Sequence, residues 1–72
     1  MKKYAALRVE YTNGETDIRI LEAVESDGEY CHGRSVKTGT VWSFPQHVYN
    51  EQLEFETDSE EALKVKYFEE FL

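Results

Sequence analysis

The Asn13-Gly14 dipeptide lies between two segments whose apolar residues come into register across a two-residue turn, and it constrains this chain more than any other feature. Asn-Gly suits the type I′ turn, whose two central residues both need positive φ and whose twist matches the strands it joins. A two-residue loop sets Thr12 opposite Glu15, Tyr11 opposite Thr16, Val9 opposite Ile18 and Leu7 opposite Ile20. The apolar pairs then share one face, which is expected to turn inward. On the other face Arg8 opposes Arg19 and Glu10 opposes Asp17, a clash that the diagonal pairs Arg8 with Asp17 and Glu10 with Arg19 offset, so that face is expected to be wet.

Alternation of apolar and polar residues predicts a first strand over 4–12 and a second from 15 to about 24. Asp27-Gly28 turns the chain into a weaker strand, 29–36, in which Gly33 marks a bulge or a close backbone approach. Lys37-Thr38-Gly39 reads as a three-residue hairpin loop that returns the chain through Thr40-Val41-Trp42-Ser43-Phe44, and Pro45 ends that ladder. A short connection containing His47, Val48 and Tyr49 leads to a fifth strand over 52–56, with Leu53 and Phe55 inward. The period then changes. Thr57-Asp58-Ser59-Glu60 has the form of a capping box. After it Ala62, Leu63, Val65, Tyr67, Phe68, Phe71 and Leu72 recur at the three- and four-residue spacings of a helical stripe. The expected fold is mainly β: one domain over 1–72, made of a five-stranded antiparallel SH3-like barrel or curled sheet (1–56) with one C-terminal helix (57–72) packed on it.

A domain of 72 residues buries only about 60% of the surface its unfolded chain exposes, so its one core needs the aromatic residues it has. Cys31 is the single cysteine, which excludes an internal disulfide. No run is apolar enough to span a membrane. Met1-Lys2-Lys3 is followed by only Tyr4-Ala5-Ala6-Leu7 before Arg8, too short for a secretory h-region, and a cytoplasmic location is expected.

The segment Leu7-Arg8-Val9-Glu10-Tyr11-Thr12-Asn13-Gly14-Glu15, then Arg19-Ile20-Leu21, Asp27-Gly28-Glu29-Tyr30 and Trp42-Ser43-Phe44-Pro45 ending in Val48, resembles the WYL domain family. Tyr30-Cys31-His32 stands where that family carries its Trp-Tyr-Leu signature. The resemblance covers roughly residues 5–50 and implies an SH3-like barrel and a regulatory domain that senses a small ligand or nucleotide.

Three residues have metal-binding character, Cys31, His32 and His47, but adjacent strand positions point to opposite faces, so Cys31 and His32 cannot share an ion. The same geometry denies Cys31 an imidazole base. No metal, no cofactor, no catalytic residue and no enzymatic activity are expected. In the predicted hairpin Arg34 comes beside Trp42, where a guanidinium can stack on the indole, and Tyr30 and Tyr49 would complete a small ligand-binding platform.

Charge supplies the other candidate. The formal net charge is −7, yet residues 1–50 are nearly neutral. Residues 51–72 carry Glu51, Glu54, Glu56, Asp58, Glu60, Glu61, Glu69 and Glu70 against only Lys64 and Lys66. Such a surface repels nucleic acid and attracts a basic protein. The expectation is a protein-interaction module that meets a basic partner through Glu54, Glu56, Asp58, Glu60 and Glu61. The alternative is a WYL-like sensor built on Tyr30, Arg34, Trp42 and Tyr49. Oligomeric state is left open by these residues.

Overall fold

Asn13 and Gly14 do form the first turn, but with a loop of three residues. The Tyr11 N–H donates to the Glu15 carbonyl at 2.8 Å and the Gly14 N–H to the Tyr11 carbonyl at 3.0 Å. Only Gly14 takes positive φ, 87°. Asn13 instead accepts the Glu15 N–H on its own Oδ1 at 3.0 Å, a side-chain turn that holds it in the ordinary region while glycine supplies the left-handed residue of a bulged hairpin. The extra loop residue shifts the register by one, pairing Ala6 with Ile20, Leu7 with Arg19 and Arg8 with Ile18. Because side chains alternate with period two, Leu7 and Ile20 now face opposite ways, and the expected pairing of Leu7 with Ile20 and Val9 with Ile18 is replaced.

The computed structural model describes residues 3–72; the Met1-Lys2 start weighed above as a leader lies outside them. The strands are β1 (Tyr4–Glu10), β2 (Thr16–Ser26), β3 (Tyr30–Ser35), β4 (Val41–Pro45) and β5 (Leu53–Thr57). Helix α1 (Gln46–Gln52) precedes β5, helix α2 (Glu60–Lys66) follows it, and a 3₁₀ turn (Phe68–Phe71) ends the chain. The protein is mainly β, with five antiparallel strands in one sheet ordered β4-β3-β2-β1-β5 and a helix near the C-terminus.

The sheet does not close into a barrel, and the burial of β1 gives the reason. Tyr4, Ala5, Ala6 and Leu7 are buried in succession, so both faces of the central strands need cover, whereas a barrel has one inside. One face carries Ala5, Leu7, Leu21, Val24, Cys31 and Tyr49, with Trp42, Phe44 and Leu53 packed against them. The other carries Tyr4, Ala6, Ile20 and Leu63, with Ile18, Phe55, Tyr67 and Phe71. The first face is covered by α1 through Tyr49 and the second by α2 through Leu63.

Helix α1 replaces the expected connection around His47, Val48 and Tyr49. Its seven residues are too few for helical periodicity to register in the sequence, and Pro45, at φ −53° and ψ 141°, ends β4 and starts it. Leu53 and Phe55 are both inward as expected, but toward different cores. A register shift where β5 meets Ala6 and Leu7 leaves Glu54 as the extra residue between them. The cap of α2 is Ser59, whose Oγ accepts the Ala62 N–H at 3.1 Å, while Thr57 accepts the Ser59 N–H. With alanine at the third position the capping box does not form. Gly33 is the expected close approach: a Cβ there would lie 3.1 Å from Leu21 Cβ.

Candidate functional site

Three of the five predicted contact residues, Glu54, Glu56 and Glu60, are each held by a tyrosine and a cation. On the α1 side the Tyr49 hydroxyl donates to Glu56 Oε2 at 2.6 Å, and Lys3 Nζ lies 3.3 Å from Glu56 Oε1. Opposite, the Tyr67 hydroxyl donates to Glu54 Oε2 at 2.8 Å, while Arg8 bonds Glu54 Oε1 through Nε at 3.0 Å and through its terminal nitrogen as well. Glu60 takes a long bond from the Tyr4 hydroxyl at 3.4 Å and pairs with Lys64 at 2.9 Å.

The electrostatics follow from these contacts. The Arg8 bond, followed by that from Tyr67, holds the Glu54 carboxyl below the usual glutamate range. Burial first, and the bond to a carboxylate second, push the phenols of Tyr49 and Tyr67 well above the tyrosine range. Both tyrosines therefore remain neutral donors. Glu54 and Glu56 tie β5 to opposite sides of the sheet and do not form one acidic surface. Of the five predicted contact residues, Asp58 and Glu61 are exposed and make no ion pair among the described residues.

The predicted aromatic platform is not assembled. Val36, Lys37, Thr38 and Gly39 form a four-residue loop closed by the Ser35 N–H on the Thr40 carbonyl at 2.8 Å, which pairs Gly33 with Trp42 and Arg34 with Val41. Arg34 consequently lies on the face away from Trp42, and Tyr30 shares its side, while Tyr49 is buried on the side of α1 that packs on the sheet. The cation over Trp42 is Arg19, 4.6 Å from the ring centroid, with Phe44 edge-on at 6.4 Å. Residue-level reading missed Arg19 because the two-residue turn set it on the wet face; a three-residue loop places it opposite Leu7, on the Trp42 side. Arg19, Trp42 and Lys37 edge a cavity of about 180 Å³ that Asp17 and Glu70 also line, so its charge is mixed.

What stays open is the outer side of the last segment. Val65, Phe68 and Leu72 are 80%, 63% and 89% exposed. The two lysines nearby, though exposed, have partners of their own: Lys64 pairs with Glu60, and Lys66 sits 5.2 Å from the Phe55 ring centroid. Glu61 and Glu69 remain outward beside the apolar side chains. These three apolar residues belong to the stripe the sequence assigned to the core. Val65 lies on the side of α2 away from buried Leu63, and Phe68 and Leu72 follow the break at Tyr67, at φ −118° and ψ 43°, which ends α2 and starts the 3₁₀ turn.

Cys31 is 2% exposed, and burial pushes its thiol up. His32 lies on the other face, its Nδ1 2.7 Å from Ser43 Oγ. Among the described residues no three His, Cys, Asp or Glu side chains are grouped to hold a metal ion, and no helix is long and apolar enough to cross a membrane. No protein-family model, curated protein or solved structure matches this chain.

Proposed function

We propose that the chain is a small cytoplasmic, non-enzymatic protein-interaction module that binds a basic partner through its acidic C-terminal third. The contact surface is the outer side of α2 and the 3₁₀ turn, with Asp58, Glu61 and Glu69 around Val65, Phe68 and Leu72. The observation that carries this is the exposure of those three apolar side chains beside carboxylates whose neighbouring lysines are engaged elsewhere. An apolar patch rimmed by charge is the usual form of a protein-binding surface, and the rim chooses the sign of the partner. Glu54 and Glu56 are reassigned to holding β5 in place.

A synthetic amphipathic helix of leucine and lysine is the probe, titrated into isotopically labelled protein and followed by amide chemical shifts. Shifts confined to residues 58–72, weakened by salt and abolished by Phe68→Ser, are expected. Shifts centred on Arg19 and Trp42, or nucleotide binding there, would favour the sensor reading instead.

A further inference from the structure

The edges of this sheet are protected very differently. An exposed edge strand is a template for pairing, and proteins guard it with bulges and charges. The β5 edge has both, a bulge at Glu54 and the carboxylates of Glu54 and Glu56. The β4 edge, Val-Trp-Ser-Phe-Pro, has no charge and no bulge. It also lies inside the longest stretch without a carboxylate: residues 30–50 contain no Asp or Glu and carry Arg34 and Lys37.

The direction of its free groups follows from the pairing. Ser35 and Thr40 form a hydrogen-bonded pair, and antiparallel pairs alternate, so Trp42 and Phe44 spend their backbone groups on β3. Val41, Ser43 and Pro45 turn theirs outward. The free donors are the N–H groups of Val41 and Ser43, since proline has none. That set is self-complementary.

We infer that β4 pairs antiparallel with β4 of a second copy across a two-fold axis at Ser43. Each Ser43 N–H donates to the Ser43 carbonyl of the other copy, and each Val41 N–H donates to the other copy's Pro45 carbonyl. Every outward N–H of the edge is then satisfied, and the missing proline donor falls at the end of the ladder. On the α1 side Trp42 meets the second copy's Phe44 at a non-hydrogen-bonded position, where side chains approach closest and aromatic pairs are favourable. Charge selects this edge over the β5 edge. A net charge of −7 on each copy opposes association in general, whereas neither β4 nor the β3 strand beside it carries a carboxylate of its own. A five-residue edge is a small interface, so the dimer is weak and concentration-dependent.

Sedimentation equilibrium of the full chain from about 10 µM to about 1 mM, the range for a small interface, should show mass rising from 8.5 kDa toward twice that value. Ser43→Lys sets like charges opposite each other at the axis and should weaken dimerisation by about tenfold or more, with unchanged circular dichroism. Val41→Lys, at a position 63% exposed, serves if the first variant fails to fold. In Ser43→Cys the paired Cα atoms stand about 5.5 Å apart, inside disulfide range, so mild oxidation should trap a dimer. Thr38→Cys, in the neighbouring loop, should not, and buried Cys31 does not compete. A chain that stays monomeric throughout, or a dimer that survives both lysine variants but not Phe68→Ser, overturns the proposal.

Discussion

The two halves of the sheet handle polarity in opposite ways. Around β1, β5 and α2 both faces are buried, and carboxylates are plentiful but restrained, each of Glu54, Glu56 and Glu60 held by a tyrosine and a cation. Around β3 and β4 there is no carboxylate over residues 30–50, and the side away from α1 carries exposed Tyr30, Arg34, Val41 and Ser43. The difference shows that local charge density is a poor guide to which charges are free. In the acidic half Glu54, Glu56 and Glu60 are tied to neighbouring groups, whereas Asp58 and Glu61, on either side of the α2 cap, are exposed and make no ion pair among the described residues. The neutral half, with few charges to tie, keeps an edge whose backbone is open.

The largest test of this contrast concerns the cores that the two helices cover. Leu21 and Leu63, both fully buried, anchor opposite faces, and truncation to alanine should cost about 2–5 kcal/mol at either site by denaturant unfolding. A loss below about 1 kcal/mol for Leu63→Ala, the range of surface substitutions, would mean that α2 covers no second core. Gly33→Ala sharpens the comparison on the β3 side. The added methyl meets Leu21 Cβ and Cδ1 at 3.1 Å and Val24 Cγ2 at 3.4 Å, so a loss of about 1–3 kcal/mol is expected from overpacking. An unchanged midpoint would show that β2 and β3 have room to separate there.

The smallest expected effect tests whether the β5 carboxylates are structural. Glu54 is held below its ordinary pKa of 4.5 by Arg8 and Tyr67, so its contribution to stability is complete above that value and is lost as pH falls through the lowered one. Glu54→Gln should lower the melting temperature at neutral pH and flatten the acid decline. Glu61→Gln should change neither, because Glu61 is exposed and makes no ion pair among the described residues. Equal behaviour of the two variants would return Glu54 to the free acidic surface.

By itself the sequence determined the number of strands, the turns at Asn13-Gly14, Asp27-Gly28 and Thr38-Gly39, the close approach at Gly33, and a helix near the C-terminus. These rest on local physics: glycine at positive φ, period-two alternation and the change to helical spacing. Tertiary structure decided the registers. A two- and a three-residue hairpin loop differ little in local energy, and the choice falls to whichever register lets both faces of β1 bury side chains. That one-residue shift moved Arg19 onto Trp42, while a second, in the β3–β4 loop, turned Arg34 away from it. The partners of Glu54 and Glu56 were equally hidden, since Arg8 lies 46 residues from Glu54 in sequence and only the packed sheet brings them together. Helix α1 was too short to show a period and exists because the sheet face beneath Tyr49 needs cover.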